Sequence, residues 1–139
     1  MAITAALCDS YKQEILQGIH SSADTYKVAL YPSTATLGTA TTAYSSTGEV
    51  TGTGYTAGGN TLSGFTVSLS GDTAVLTFAN TNWPSSTITA RGALIYNSSK
   101  SNKAVAAVSF GASDITSTNG TFQITWPTAD ATNGLIRIL

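Results

Sequence analysis

The sequence predicts an all-β fold, a jelly-roll-like β-sandwich of about eight strands with one N-terminal α-helix. Three observations carry that expectation. Apolar residues alternate with a period of two through most segments, as side chains do on the two faces of a strand. Turn-forming Gly, Asn, Asp and Pro residues separate these segments at intervals of roughly 8–15 residues. Thr and Ser supply roughly 30% of the chain, and β-branched Thr suits a pleated, half-exposed surface. Residues 1–24 are assigned to the helix and a linker, and residues 25–139 to the sandwich.

The helix is expected over residues 5–17, with Thr4 as N-cap and Gly18 as stop signal. Cys8, Tyr11, Ile15 and Ile19 recur at helical spacing and form its apolar stripe. That stripe has two uses. It covers a sheet of its own chain, or it reaches as an arm to a neighbouring subunit. Cys8, Tyr11, Ile15 and Ile19, with Tyr44, are therefore candidate interface residues. Under the arm reading, deletion of residues 1–22 leaves a folded β-body that assembles less well.

Residues 25–31 read as a strand ended by Pro32. Tyr26, Val28 and Leu30 face one way; Lys27, Ala29 and Tyr31 face the other. Residues 33–47 are a Thr-, Ser- and Ala-rich surface excursion with a helical turn near residues 39–44. Residues 48–55 read as a short strand punctured by Gly52 and Gly54. Residues 61–69 and 73–78 form a hairpin around Ser70-Gly71-Asp72. Residues 80–86 read as a loop whose Trp83 plugs the core as a large apolar cap. Residues 87–97 form one long strand with apolar side chains on both faces, which places it centrally. A turn at 97–102 leads to its partner, residues 103–110. Residues 111–120 read as a loop, and 121–126 and 134–139 as the closing strands.

Charge narrows the function. Charged residues make up 9% of the chain and the formal net charge is -1, against about 25% charged in a typical domain. The six Lys and Arg residues are scattered. Phosphate backbones need a clustered positive field, so no nucleic-acid partner is expected. No apolar run approaches the ~20 residues of a membrane span, and the N-terminus lacks the basic region of a secretory signal, so no membrane partner is expected either. Cys8 is the single cysteine, which excludes a disulfide within the chain.

Chemistry-bearing residues are few. His20, the single histidine, neighbours Ser21, Ser22 and Asp24. Working Ser-His-Asp triads assemble in space around a pocket, so sequence neighbours in a linker read as ordinary polar residues. A zinc ion would find only Cys8 and His20. No catalytic, cofactor-binding or metal-ligating residue is expected, and the chain is not expected to be an enzyme. Arg91 stands out, because it interrupts the segment with the most buried pattern. A buried guanidinium needs a carboxylate. An ion pair with an acid on a neighbouring strand or subunit is expected, with Glu49 the favoured partner.

Several segments also carry a resemblance. These are ALYPSTATL (29–37), AYSSTGEVTGTGYTAGGNTL (43–62), FANTNW (78–83), TITARGALIYNSSKSNKAVAAVSFG (87–111) and GTFQITWPTADATNGLIRI (120–138). Together they cover most of the chain and resemble tailed-bacteriophage capsid decoration, or cement, proteins with a jelly-roll fold. The resemblance implies a virion protein made in the host cytoplasm. It would bind the outer face of the capsid and stabilise contacts between major capsid protein subunits. It also implies self-association, with a homodimer favoured over a homotrimer, and no cofactor. Two other classes share the composition. One is a phage tail or fibre component. The other is a carbohydrate-binding jelly-roll module, for which Tyr31, Tyr44, Tyr55 and Trp83 are the candidate platform aromatics.

Overall fold

The computed structural model describes residues 2–138; Met1 and Leu139, the ends of the first and last predicted segments, lie outside the described residues. The elements in chain order are β1 (Ala6–Leu7), α1 (Asp9–Leu16), β2 (Tyr26–Tyr31), β3 (Asn60–Thr61), β4 (Thr66–Ser70), β5 (Thr73–Thr77), β6 (Thr81–Ala90), β7 (Gly92–Asn97), β8 (Lys103–Ser109), β9 (Ile115–Ile124) and β10 (Ile136–Ile138). They make an all-β, sandwich-like body with one short helix near the N-terminus. The strands form three antiparallel sheets: five strands ordered β1-β8-β7-β2-β3, three ordered β10-β5-β4, and the pair β6-β9.

The five-stranded sheet is central because its middle strands are apolar on both faces. All six residues of β7 are buried, and β2 is buried except at Lys27. Antiparallel register sets Tyr26 beside Asn97, Val28 beside Ile95 and Leu30 beside Ala93 on one face. Lys27 and Tyr96, Ala29 and Leu94, and Tyr31 and Gly92 share the other. Fully burying a Leu or Ile contributes about 1.5–3 kcal/mol each, so Leu30, Leu94 and Ile95 anchor this layer. Tyr26 stacks on Phe65 with ring centroids 5.3 Å apart, and Tyr96 stacks on Tyr44 at 4.4 Å. Loops therefore cover the sheet as much as strands do.

Residues 87–97 are two strands, a correction to the single strand expected. The chain leaves the β6-β9 pair at Ala90 and joins the five-stranded sheet at Gly92. It returns between β8 and β9, so the four strands form one long ribbon bent at a corner. Arg91 occupies that corner. Its N–H donates to Tyr31 O at 2.8 Å, and its carbonyl accepts from Phe110 N at 2.9 Å. Its Nε donates to Asp114 Oδ1 at 2.8 Å. Arg91 thus pairs with an acid on the returning strand connection, but the acid is Asp114 and not Glu49. The alternation pattern hid the bend because both halves are apolar. Gly92 makes the close approach possible: a Cβ there would lie 2.5 Å from Val108 O.

Four further segments differ from expectation. α1 begins at Asp9, not residue 5, because Ala6 and Leu7 pair with Ala107 and Ala106 as an edge strand. Residues 48–55 are a loop and not a strand. Val50 N–H donates to Leu30 O and Thr87 N–H to Thr53 O, so the loop wedges between β2 and β6. Gly52 lets it approach, since a Cβ there would sit 2.4 Å from Thr87 O. Residues 80–86 are expected as a loop, but all except Asn80 lie in β6, with Pro84 inside a register shift between Trp83 and Ser86 where no ladder donor is needed. Residues 115–120 belong to β9, with Asn119 in a left-handed conformation at φ 48. The β4-β5 hairpin around Gly71-Asp72 forms as expected, with Ser70 opposite Thr73.

Candidate functional site

The N-terminal stripe folds onto its own chain. Cys8 is fully buried at the N-cap of α1, with its Sγ 3.7 Å from Gly38 O. Burial, with Asp9 and Glu14 nearby, pushes its thiol up to about 11. Tyr11 is also buried, and burial pushes its phenol up to about 12. These two residues are core cover, which corrects their assignment to an intersubunit interface. Ile15 and Ile19 are half-buried. Tyr44 is half-buried too, but its hydroxyl is committed within the chain.

That commitment is to Glu49, which sits in a ring of donors. Tyr44 Oη donates to Oε1 at 2.6 Å, and Gly58 N–H donates to Oε2 at 2.8 Å. Tyr55 Oη also donates to Oε2 and itself accepts Leu30 N–H at 2.9 Å. Glu49 is buried and has no ion-pair partner among the described residues. A buried carboxylate persists without a cation only where such charge-assisted bonds satisfy it. The cluster ties the 33–47 excursion and the 48–59 loop to the central sheet. Its members are spent on one another, and no acid–base pair is left facing open space.

The side chain of His20 is buried as well, only 3% exposed. Its Nε2 lies 2.9 Å from Glu14 Oε1 and its Nδ1 3.0 Å from Asn97 Nδ2. Asn97 Nδ2 also donates to Asp24 Oδ2 at 2.8 Å, while its Oδ1 accepts Ser99 N–H. Those two bonds fix the amide, so Nδ1 of His20 accepts and the ring proton sits on Nε2. Burial works to raise the Asp24 pKa, but bonds from Asn97 and Ser21 and the charge of Lys100 outweigh it and hold the carboxyl below its ordinary range. Both histidine nitrogens are occupied, so neither is free to take a proton from Ser21 or Ser22. Among the described residues, no group of three His, Cys, Asp or Glu is placed to hold a metal ion. Among the same residues, no helix is long and apolar enough to cross a membrane.

The exposed feature is apolar. Between α1 and the three-stranded sheet lies an open groove of about 280 Å³, bordered by Tyr11, Ile15, Phe65, Val67, Leu76 and Ile138. Register places Val67, Leu69, Leu76, Ala74, Ile136 and Ile138 on one face of that sheet. Val67 is 58% exposed, Leu69 77% and Ile138 51%. A single exposed Leu needs no explanation, but several apolar residues on one sheet face make a candidate contact surface. Sequence reading placed Val67 and Leu69 in the first arm of the hairpin and did not distinguish them from core residues. The signal that could have separated them was β4's position at a sheet edge, which alternation does not encode.

Comparison of the chain with protein-family models, with curated proteins and with solved structures gives no match.

Proposed function

We propose that the chain is a structural protein of a tailed-phage virion. It binds the outer face of the assembled capsid and stabilises contacts between major capsid protein subunits, acting as a jelly-roll-like dimer without catalytic chemistry. The phage setting comes from the resemblance of the five segments quoted above. The observation that carries the binding role is the row Val67, Leu69 and Ile138, an exposed apolar strip on a body with few surface charges. Covering such a strip removes apolar area from water without burying ions. Repetition over a shell turns modest contacts into firm attachment. The glycan-platform alternative loses support, because Tyr31 and Trp83 are buried and the hydroxyls of Tyr44 and Tyr55 hold Glu49.

The test uses purified capsids that lack this chain. Adding it should give saturable binding to the outer surface and raise survival of heat and osmotic shock. Absence of binding, or binding with unchanged survival, overturns the reading.

A further inference from the structure

β4 is the outer strand of its sheet, and it carries none of the usual protections of an edge. It is five residues long, Thr66-Val67-Ser68-Leu69-Ser70, with no charge, no proline and no register shift against β5. Native edges are normally blunted by lysines, bulges or a covering segment. β9 has such a break at Asn119-Gly120, and β10 is only three residues long and carries Arg137. Among the described residues, no hydrogen bond from another segment reaches the backbone of residues 66–70 apart from the β5 ladder.

The hairpin fixes which backbone groups are free. Ser70 and Thr73 close a two-residue turn, so Ser70, Ser68 and Thr66 exchange bonds with β5. The N–H and C=O groups of Val67 and Leu69 therefore point outward. These are also the residues with the exposed apolar side chains.

We propose that β4 pairs antiparallel with β4 of a second copy of this chain, about a two-fold axis through Ser68. In that register Val67 faces Leu69 of the second copy and Leu69 faces its Val67. All four outward-pointing groups on each strand are then paired. Shifting the register by two residues in either direction leaves half of them unpaired, so the strand is self-complementary in this one register. The charge pattern fits a second copy: both sides of the seam are neutral, so no like charges meet. The area sets the strength. A five-residue edge spans about 17 Å, too short for edge pairing to bury the roughly 800 Å² per partner of a standard stable interface. The pair is therefore weak in free solution and becomes firm where copies are held close together. A dimer is part of the virion reading above; the pairing uses the backbone edge of β4, whereas shell contact uses the apolar side-chain face, and this test uses the isolated chain rather than capsids, so the two fail separately.

Sedimentation of the full chain over micromolar to millimolar concentrations should show reversible dimerisation. Amide exchange at Val67 and Leu69 should slow as concentration rises, while Ser68 stays unchanged. Val67→Lys should weaken association tenfold or more with no change in circular dichroism. Val67→Pro, which removes one outward donor and leaves the β5 ladder intact, should do the same. A chain that stays monomeric throughout overturns the proposal. So does a dimer with unchanged exchange at Val67 and Leu69, a reading on the unmodified chain that does not depend on how the variants fold. Protection of those amides only on capsids, with a monomer in solution, assigns the edge to a shell strand and overturns the second copy as occupant.

Discussion

Replacing Glu49 by Ala removes the acceptor of three donors in one step. Tyr44 is half-exposed, so its hydroxyl turns to water at little cost. The Tyr55 hydroxyl and the Gly58 N–H lose their acceptor inside the structure. Each stranded donor costs about 1–3 kcal/mol. Relief from burying a carboxylate offsets part of this. The net expectation is a loss of about 2–4 kcal/mol, a large share of the 5–15 kcal/mol typical of a domain. Glu49→Gln keeps the shape. Its amide oxygen serves Tyr55 and Gly58 while the Tyr44 hydroxyl accepts from the NH₂, so the loss is about 1 kcal/mol. Urea unfolding reads both: at a slope of about 1.5 kcal/mol/M, the Ala variant's midpoint falls by about 1–3 M. Tyr55→Phe should cost less in the Glu49→Ala background than it does alone, because its hydroxyl has already lost its acceptor there. A loss below about 1 kcal/mol for Glu49→Ala, or equal losses for Gln and Ala, refutes the claim that this ring of donors holds the loops to the sheet.

Three other outcomes follow from the same contacts. Burial raises the pKa of all six tyrosines, Tyr11 and Tyr96 to about 12 and the other four further. Stability from their neutral forms is fully present below the ordinary value near 10 and is lost as pH rises through the folded values. Tyrosinate absorbance should stay low at about pH 10 and then rise together with unfolding; smooth titration of a folded chain near 10 contradicts this. Arg91→Ala should cost only about 0.2–1 kcal/mol in thermal unfolding, and less at high salt, because the pair with Asp114 is 27% and 42% exposed. A loss above about 2 kcal/mol would mean that the side chain, not the corner's backbone bonds, holds the bend. Deletion of residues 1–22 removes β1, α1 and the buried Cys8 and Tyr11, so cooperative unfolding should disappear; a truncated chain that still unfolds cooperatively restores the arm reading.

The fold class was legible because alternation and turn residues are local signals. Residues 25–31 and 103–110 stood out as strands, and Ser70-Gly71-Asp72 as a turn, on that basis, and the structure has strands at Tyr26–Tyr31 and Lys103–Ser109. Pairing partners were not legible. Nothing near Arg91 shows that the chain changes sheets there, and Asp114 lies 23 positions away. Pro84 argued for a loop, yet a register shift accommodates it within β6. Gly52 and Gly54 suggested a punctured strand, whereas they mark a loop pressed against another backbone. The helical stripe was read correctly as apolar, but periodicity cannot say whose core it enters. His20 looked like a linker residue because its partners Glu14 and Asn97 lie on the helix and on a central strand, 6 and 77 positions away. The exposed strip on β4 was missed for the same reason: a strand's place in its sheet is a long-range property.

The proposed place on the capsid shell is tested most directly by the location and copy number of this chain in purified virions, from cryo-electron microscopy with quantitative mass spectrometry. Density on the outer face of the head is expected, repeated over the lattice, at a copy number comparable with that of the shell subunit. Absence from the virion, or a few copies confined to a vertex or the tail, would contradict it.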